Sequence, residues 1–405
     1  MNVTIHPGTL AGTVTPPGSK SQAHRFLIGA ALAQGESVIR NVAMSRDIGA
    51  TMACLAALGA EVSRSGDTVS VRGGGAVPDM PVLDCGESGS TLRFLIPAAL
   101  ALAGGGTFRG SGRLMERPLS PYFDIFREQG ISFEQEGDTL RAEGHLSPGV
   151  FRLPGDVSSQ FITGLMAALP LLDGDSEIRL TTPLESAGYV DMTRDALEAF
   201  GVTILDGEDG WRIPGRQRYA AADVTVEGDW SQGAVFLAAR AMGHAVETAG
   251  LNPDSRQGDR IITEYLARLE GPGEAVLDVR DCPDLVPVLA AGAALRDGRV
   301  TRIVNAARLR LKESDRLSAA ASVLGAMGSD IREEPDGLII RGKKRLRGGT
   351  AADSWNDHRI AMMAALAATR CEEPVTICGA ESVRKSYPDF WRDLAALGGK
   401  LEVSE

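Results

Sequence analysis

Two kinds of helical segment alternate six times along this chain of 405 residues, and the repeat limits the folds open to it. Segments of the first kind end on a glycine and lead into a strand-like stretch, as in MACLAALGAEV and WRDLAALGGKLEV. Glycine just beyond the last apolar position is expected at a helix C-terminus, where the backbone turns left-handed. The marker glycines are spaced by 71, 71, 70, 57 and 70 residues and are Gly59, Gly130, Gly201, Gly271, Gly328 and Gly398. Such regular spacing indicates a repeated structural unit.

Segments of the second kind open on polar residues and are then apolar on all sides, which predicts buried helices. Their expected starts are Ser21, Ser90, Ser159, Ser231, Asp284 and Asp357. The stretches between helices are short and β-branched, and their Gly-Asp or Asp-Gly pairs favour hairpins. The sequence therefore predicts α/β domains built from six copies of one unit, grouped as two domains of three copies that meet near residues 226–229.

The bulk composition excludes several classes of protein. A net charge of −11 argues against nonspecific binding of nucleic acid, and no apolar run is long enough to span a membrane. The N-terminus has no basic region followed by an apolar stretch, so a secretion signal is not expected. The five cysteines have no zinc-ligand spacing and are interpreted as core residues in a reducing cytoplasm.

The stretch TPPGSKSQAHR, from Thr15 to Arg25, resembles part of a phosphate-binding loop. A nucleotide P-loop needs lysine directly after its second glycine, but Ser19 separates Gly18 from Lys20. ATP is therefore not implied. Helix N-termini carry unpaired N–H groups and partial positive charge, so several helix starts that face one cleft would form an anion site.

Basic residues recur beside the expected helix starts of this acidic chain, and two acids, Asp284 and Glu313, lie among them. Each residue alone has a structural explanation. Glu313 and Arg316 fit a surface ion pair, and His358 fits a core histidine. Arg113 and Arg117 fit a solvated loop. The residues that fit simple helix N-caps are Ser90, Ser158, Ser159 and Asp284. The recurrence favours a binding site.

Six motifs, spread in order over nearly the whole chain, resemble those of the 5-enolpyruvylshikimate-3-phosphate synthase family: PGSKSQAHR, GESGSTLR, MERP, VSSQ, KESDR and NDHR. The resemblance implies a two-domain inside-out α/β barrel with three βαβαββ-type repeats in each domain. It places residues 14–226 in the N-terminal domain, and residues 1–13 with 227–405 in the C-terminal domain. The active site is expected in the cleft between them, with domain closure on the first ligand.

The resemblance also implies roles for individual residues, in a reaction without metal or organic cofactor. The expected contacts of shikimate 3-phosphate are Lys20, Ser21, Arg25, Ser158, Ser159, Gln160, Ser186, Tyr189, Asp284 and Lys312. The expected contacts of phosphoenolpyruvate are Lys20, Gly89, Arg117, Gln160, Arg316, Arg359 and Lys385. Asp284 is the expected base towards the 5-hydroxyl, and Glu313, with Lys20, the expected partner in proton transfer at the methylene. His358 is expected to stabilise the departing phosphate.

Three departures and three alternatives accompany this interpretation. Arg308 and Glu87 replace asparagines common in the family, and Phe94 follows Arg93 where some members have proline. The resemblance implies that Gly89 leaves room for glyphosate in the phosphoenolpyruvate pocket, but these changes leave sensitivity to glyphosate open. The alternatives are a UDP-N-acetylglucosamine enolpyruvyl transferase, an RNA 3′-phosphate cyclase and a non-catalytic paralogue that binds a phosphometabolite. The first usually carries a reactive cysteine in the loop that matches residues 110–118, which has none here. A cytoplasmic monomer is expected.

Overall fold

The computed structural model describes residues 1–404, and the chain divides into two compact units. The continuous unit is Gly18–Glu227; the split unit joins Met1–Pro17 to the chain from Gly228 onward. The two divisions lie four residues and one residue later than the boundaries expected from the sequence. Each unit has its own apolar core. Among the residues described, no helix has the length and apolar character needed to cross a membrane.

The helices of residues 1–404 follow the predicted alternation of two kinds. They are α1 Lys20–Leu32, α2 Arg46–Ala57, α3 Gly89–Ala103, α4 Ser120–Gln129, α5 Ser159–Ala168, α6 Ala187–Ala199, α7 Trp230–Ala241, α8 Ile262–Glu270, α9 Val286–Ala294, α10 Arg316–Ala326, α11 His358–Ala368 and α12 Phe390–Ala396. The odd-numbered helices are the predicted buried series, and the even-numbered helices are the series marked by glycine.

The strands described in the same residues lie mostly between these helices. They are β1 Asn2–His6, β2 Ala11–Val14, β3 Gly35–Arg40, β4 Glu61–Ser65, β5 Thr68–Gly73, β6 Val82–Asp84, β7 Gly105–Arg109, β8 Ser132–Glu136, β9 Thr139–Glu143, β10 Val150–Leu153, β11 Ser176–Leu180, β12 Leu205–Asp206, β13 Gly210–Ile213, β14 Asp223–Thr225, β15 Ala245–Thr248, β16 Ala275–Asp278, β17 Val300–Val304, β18 Asp330–Glu334, β19 Gly337–Arg341, β20 Thr350–Asp353, β21 Val375–Cys378 and β22 Lys400–Ser404.

One sheet pattern recurs three times in the continuous unit. The strand orders are β14-β3-β5-β4, β6-β7-β9-β8 and β10-β11-β13-β12. In each sheet the first two strands are parallel and the remaining pairs are antiparallel. The hairpins β4–β5 and β8–β9 turn at Gly66-Asp67 and Gly137-Asp138, as the sequence predicts.

The split unit contains the same pattern twice, in sheets β16-β17-β19-β18 and β20-β21-β1-β22, together with a parallel pair, β15 and β2. The N-terminal strand β1 lies between β21 and β22 and is antiparallel to both. Val3 is paired with Ile377 on one side and with Val403 on the other. The beginning of the chain therefore completes its last repeat.

Buried helices form the interior of each unit, and the sheets cover them with one face. In the continuous unit α3 packs against α5, and in the split unit α9 packs against α11. A Cβ at Gly164 in α5 would lie 2.3 Å from the carbonyl oxygen of Arg93 in α3, so only glycine permits this approach. The mixed α/β fold with repeated units is confirmed, but the strands of residues 1–404 form six separate sheets and do not close into one barrel.

The helix ends match the predicted signals with three corrections. Five of the six marker glycines have positive φ, but Gly271 has φ −64° and ends α8 in an extended conformation. Helices α1, α3 and α7 begin one residue earlier than predicted, because Ser19, Ser88 and Asp229 are their N-caps. Asp284 lies inside a short 3-10 turn, Pro283–Leu285, and α9 begins only at Val286.

Candidate active site

The predicted site residues fall into two groups, one in each unit. In the continuous unit, Lys20 is the first residue of α1, and its ammonium donates to Asp47 over 2.7 Å. Both side chains are mostly buried, with 16% and 11% of their surfaces exposed. Asp47 lies in the first turn of α2, where a carboxylate is stabilised by the helix dipole. The amine is thus held by an acid that the sequence did not identify.

Arg25 is a buried cation whose partners carry no formal charge. Its guanidinium donates to the hydroxyls of Thr163 and Thr193 over 3.2 and 2.8 Å, and to the carbonyl oxygens of Ser21 and Tyr189 over 2.6 and 3.0 Å. Burial lowers the pKa of Arg25 to about 10, which leaves the group charged at neutral pH. Since no carboxylate within the described part of the chain pairs with it, this site favours an anion.

Gln160 connects the starts of α3 and α5. Its amide oxygen accepts from Arg93 over 2.8 Å, and its amide nitrogen donates to the Ser90 hydroxyl over 3.1 Å. Ser158 is the N-cap of α5 and accepts from the Gln160 N–H, so the simple capping role fits this serine. It does not fit Ser90 or Ser159, which lie inside their helices.

Ser186 and Tyr189 lie at the start of α6. Ser186 has φ 60°, a left-handed conformation that is strained for serine, and only 2% of its surface is exposed. Tyr189 lies one turn further along the helix and places its ring 6.0 Å from the Arg25 guanidinium. The start of α6 is therefore packed beside the buried cation.

Arg117 lies across the first residue of α3. A Cβ added to Gly89 would lie 2.7 Å from a guanidinium nitrogen of Arg117, which is 8% exposed. The guanidinium and the N–H groups of the α3 N-terminus thus face the same space, as an anion site requires. Arg113, by contrast, pairs with exposed Glu116, so the solvated-loop explanation fits Arg113 and fails for Arg117.

In the split unit, Arg316 lies at the centre of the second group. It is the first residue of α10 and is 1% exposed. Its guanidinium donates to Asp284 over 2.7 Å, to Glu313 over 2.8 Å and to Asp357 over 2.8 Å. The pair Glu313–Arg316 is consequently a buried contact and not the surface ion pair that the sequence left open.

Asp284 is shared by two arginines, because Arg359 also donates to it over 3.1 Å. Burial alone would raise the pKa of Asp284, but the charges of Arg359, Arg316 and Lys312 outweigh it and lower the pKa well below the ordinary range. Burial lowers the pKa of Lys312 to about 8, and the charge of Asp284 opposes that change. The Asp284 carboxylate is therefore ionised at neutral pH.

Asp357 is fully buried and connects two elements of the second group. It caps α11 by accepting from the Arg359 N–H over 2.9 Å, and it accepts from the Ser314 hydroxyl over 3.0 Å. His358 follows as the first residue of α11, 2% exposed, with its Nδ1 atom 3.8 Å from Asp357. Lys385 donates to the carbonyl oxygen of Asn356 over 2.5 Å.

The arrangement supplies cations for carboxylate and phosphate groups, and acids that can exchange protons with a bound reactant. No cluster of side chains in residues 1–404 is suited to hold a metal ion. Residues that sequence reasoning did not assign support the predicted ones: Asp47, Arg93, Thr163, Thr193 and Asp357. Asp357 stands inside the NDHR motif and Arg93 inside GESGSTLR, so both could have been found; the other three carry no local signal.

Comparison with known proteins shows the family of the chain. The family model for EPSP synthase (3-phosphoshikimate 1-carboxyvinyltransferase) matches residues 5–394. The 3-phosphoshikimate 1-carboxyvinyltransferase of Clostridium kluyveri is 47% identical over 99% of this chain and 98% of its own length. That of Clostridium acetobutylicum is 46% identical, with 98% coverage of both chains.

Two solved structures share the fold over nearly the full length. EPSP synthase of Acinetobacter baumannii superposes with a TM-score of 0.81 at 26% identity and covers 100% of both chains. The enolpyruvyl transferase NikO of Streptomyces tendae has a TM-score of 0.80 and covers 99% of this chain and 98% of its own, but at 18% identity it shows the fold alone. Taken with the match over residues 5–394, these findings show that the chain belongs to the EPSP synthase family of 3-phosphoshikimate 1-carboxyvinyltransferases.

Proposed function

We propose that this enzyme transfers the enolpyruvyl group of phosphoenolpyruvate to the 5-hydroxyl of shikimate 3-phosphate and releases phosphate. The observation that carries the proposal is the nearly full-length similarity, at 46–47% identity, to enzymes named for transfer of a carboxyvinyl group to 3-phosphoshikimate. The buried network around Arg316 supports it, since three acids and two arginines meet there.

Shikimate 3-phosphate is proposed to bind residues of both groups. Arg25 suits the phosphate because it is a buried cation with neutral partners. Ser186 and Tyr189 lie beside it, and the hydroxyls and amide at the α5 start supply further donors. The full proposed set is Lys20, Ser21, Arg25, Ser158, Ser159, Gln160, Ser186, Tyr189, Asp284 and Lys312.

Phosphoenolpyruvate carries a carboxylate and a phosphate, and its proposed contacts are mostly cations. Gly89 is included because its missing side chain leaves the Arg117 guanidinium in place. Arginines bind such anions with two parallel hydrogen bonds, which fixes the orientation of the reactant as well as its position. The full proposed set is Lys20, Gly89, Arg117, Gln160, Arg316, Arg359 and Lys385.

The proposed reaction has an addition step and an elimination step. Asp284 takes the proton of the 5-hydroxyl as its oxygen attacks the central carbon of phosphoenolpyruvate, and Glu313, with Lys20, delivers a proton to the methylene carbon. A tetrahedral intermediate results, still carrying the phosphate. The new methyl group then returns a proton to the Glu313 carboxylate as the carbon–oxygen bond to phosphate breaks, and His358 stabilises the leaving phosphate.

The pKa of Asp284 bears on its role as a base. A carboxylate held by two arginines binds a proton weakly, since Arg316 and Arg359 lower its pKa. Both arginines are proposed ligands of phosphoenolpyruvate. When they bond to its carboxylate, their hydrogen bonds to Asp284 weaken, and burial then raises the pKa of Asp284. Binding of the second substrate would thereby strengthen the base.

A phosphate-release assay tests the proposed reaction. We expect phosphate only when shikimate 3-phosphate and phosphoenolpyruvate are both present. No release with this pair, but release with UDP-N-acetylglucosamine and phosphoenolpyruvate, would assign the enzyme to the other substrate. Tight binding of shikimate 3-phosphate in the wild-type protein without any release would favour the non-catalytic alternative.

Two variants test the assigned acids. Asp284→Ala and Glu313→Gln are expected to lower kcat by about a hundredfold or more. The dissociation constant of shikimate 3-phosphate, measured by calorimetry, should change by less than about tenfold. Unchanged turnover in either variant would remove that residue from the proton transfers.

Location in the cytoplasm and a monomeric state stay predictions. Sedimentation velocity of the purified enzyme tests the monomeric state.

A further inference from the structure

A run of cations lies on the loop between β19 and β20, outside both candidate site groups. The sequence RGKKRLR spans residues 341–347, in a chain whose net charge is −11. Lys343, Lys344, Arg345 and Arg347 are all exposed. Together with Arg370, these residues are called the 343–370 patch. A concentrated positive surface on an acidic protein calls for a physical explanation, because like charges held together repel one another.

None of the five cations of the patch forms an ion pair with a carboxylate in residues 1–404. Lys343 donates to the carbonyl oxygen of Gly328 over 2.7 Å, which leaves its charge uncompensated. Acids do lie at the edge of the patch. The N–H groups of Glu372 and Glu373 donate to the Arg347 carbonyl oxygen, but both side chains are exposed and more than 4.0 Å from its guanidinium.

Arg370 shows the cost of this arrangement. It follows the C-terminus of α11, where a cation is favoured by the helix dipole, and this explains part of its placement. Burial and the charge of Arg345 nevertheless lower the pKa of Arg370. Its Nε atom is buried and has no hydrogen-bond partner within the described chain. The patch therefore holds two guanidinium groups close together without a counter-charge.

The loop that carries the patch is held in place by its backbone. Leu346 is fully buried, and its carbonyl oxygen accepts from the Glu372 N–H over 2.9 Å. At the other end, the N–H groups of Gly342 and Lys343 donate to the carbonyl oxygens of Arg299 and Ala294 over 2.8 and 2.9 Å. The cations thus stand on a fixed backbone, which lowers the entropy lost when a ligand binds.

We propose that the 343–370 patch is a docking surface for a short acidic peptide segment of a partner protein. Carboxylates spaced along an extended segment match cations spaced along a fixed loop, and such contacts give charge complementarity. Long nucleic acids and membranes fit less well. The large apolar side chains exposed in residues 1–404 lie elsewhere, so the patch offers no ring for base stacking and no anchor for a bilayer. Extended polyanions would also meet the acidic remainder of the surface.

Fluorescence anisotropy with a labelled peptide of about eight alternating Asp and Glu residues tests the proposal. We expect saturable binding to the full-length enzyme that weakens about tenfold or more between about 0.05 and 0.3 M salt. The variant Lys344→Glu/Arg345→Glu should bind at least about tenfold more weakly. The matched control Arg216→Glu/Arg218→Glu makes the same change of charge at exposed sites of the continuous unit and should bind as the wild type does.

Three results would overturn the proposal. The first is equal loss of binding in the two variants, which would show a response to net charge alone. The second is tighter binding of a single-stranded RNA of about eight nucleotides, or of phosphatidylglycerol vesicles, than of the peptide. The third is self-association at low salt in sedimentation, which would make a second copy of this chain the partner. Phosphate release should be unchanged in both variants, because none of these residues is assigned to the reaction.

Discussion

Arg316 holds three carboxylates with one guanidinium, and this makes it sensitive to a conservative change. A lysine has one ammonium on a flexible stem and cannot bond to Asp284, Glu313 and Asp357 together. We expect Arg316→Lys to lower kcat/KM for phosphoenolpyruvate about a hundredfold or more. Because Asp357 is fully buried, we also expect loss of about 3 kcal/mol in the free energy of unfolding. Steady-state kinetics measure the change in kcat/KM, and urea unfolding measures the change in the free energy of unfolding.

The control for this change is Arg302→Lys, which alters an ion pair between exposed Arg302 and Glu274. Such pairs contribute about 0–1 kcal/mol, so stability and rate should stay close to those of the wild type. If Arg316→Lys behaved like this control, Arg316 would not organise the acids as described.

Gly89 permits a second prediction at the residue scale. In Gly89→Ala the new methyl group would lie 2.7 Å from the Arg117 guanidinium, which is too close, so the guanidinium must move. We expect KM for phosphoenolpyruvate to rise about tenfold or more, with little change in the affinity for shikimate 3-phosphate. Steady-state kinetics with each substrate varied separately measure both effects.

Gly49→Ala is a matched control, since a Cβ at Gly49 in α2 meets no atom within 4 Å. Alanine is the better helix former by roughly 1 kcal/mol, so this variant should be slightly more stable and fully active. An unchanged KM for phosphoenolpyruvate in Gly89→Ala would show that Arg117 does not contact that substrate.

At the scale of elements, His244 connects three segments of the split unit. It accepts from the N–H of Leu10, before β2, over 3.0 Å, and its other nitrogen contacts the Thr369 hydroxyl, after α11, over 2.9 Å. A ring nitrogen that accepts from an N–H carries no proton, so the bonded ring is neutral. Burial, followed by the charge of Arg370, lowers the pKa of His244 from 6.5 to about 4.

This lowered pKa makes the unit sensitive to acid. Below pH 6.5 the unfolded chain binds a proton that the folded chain does not, so the free energy of unfolding falls until about pH 4 and then levels off. We expect the fall to be on the order of 3 kcal/mol from this group. Urea unfolding between about pH 4 and pH 7 should show a smaller slope for His244→Asn.

His6→Asn is the matched control, because His6 is 37% exposed and bonds to an exposed glutamate. Part of the slope will remain in His244→Asn, since burial also lowers the pKa of His24. The same slope in His244→Asn and the wild type would contradict the neutral, bonded state of His244.

The elements that the sequence predicts well are those set by local chemistry. Gly-Asp turns and helix-ending glycines depend on residues within a few positions of one another, and both are found at the expected places. The predicted left-handed conformation is absent at Gly271, because Pro272 follows it directly. Proline restricts the residue before it to extended conformations, so the chain leaves α8 extended. The pairing of β2 with β15, more than 230 residues apart, has no local signal.

The candidate site divides in the same way. Hydroxyls, amides and cations beside helix starts are visible in the sequence, because capping and anion binding both require them there. The partners of these side chains are not visible in the sequence. Asp47 meets Lys20 across 27 residues, and Thr193 meets Arg25 across 168. Whether a residue at a helix start is a cap or is free to face a ligand depends on its position to within one or two residues. In α3 the N-cap is Ser88, and Ser90, two residues later, lies inside the helix.

At the scale of the whole molecule, the two units differ in how the chain builds them. The continuous unit, Gly18–Glu227, completes the sheet of its first repeat with its own final strand, β14, which lies parallel to β3. The split unit needs β1 between β21 and β22, and β2 beside β15. Its fold therefore depends on residues separated from the rest of the unit by the whole continuous unit.

This difference predicts the behaviour of two fragments. Residues 18–227 have three complete sheets and one apolar core, so we expect the fragment to unfold cooperatively in urea. We expect it to bind shikimate 3-phosphate through Arg25 and its neighbours, more weakly than the intact enzyme, and to release no phosphate. Residues 228–405 leave β21 and β22 without the strand between them, and such open edges favour aggregation.

Circular dichroism in urea and calorimetry with shikimate 3-phosphate measure these outcomes. Arg25→Ala in the fragment 18–227 is the control for specific binding, since it removes the cation and leaves Thr163 and Thr193 in place. A synthetic peptide of residues 1–17, added to the fragment 228–405, should restore soluble, cooperative folding by supplying β1 and β2. Cooperative folding of residues 228–405 without that peptide would contradict the structural role assigned to the N-terminal strands, and a gradual, non-cooperative loss of structure in 18–227 would contradict its independence.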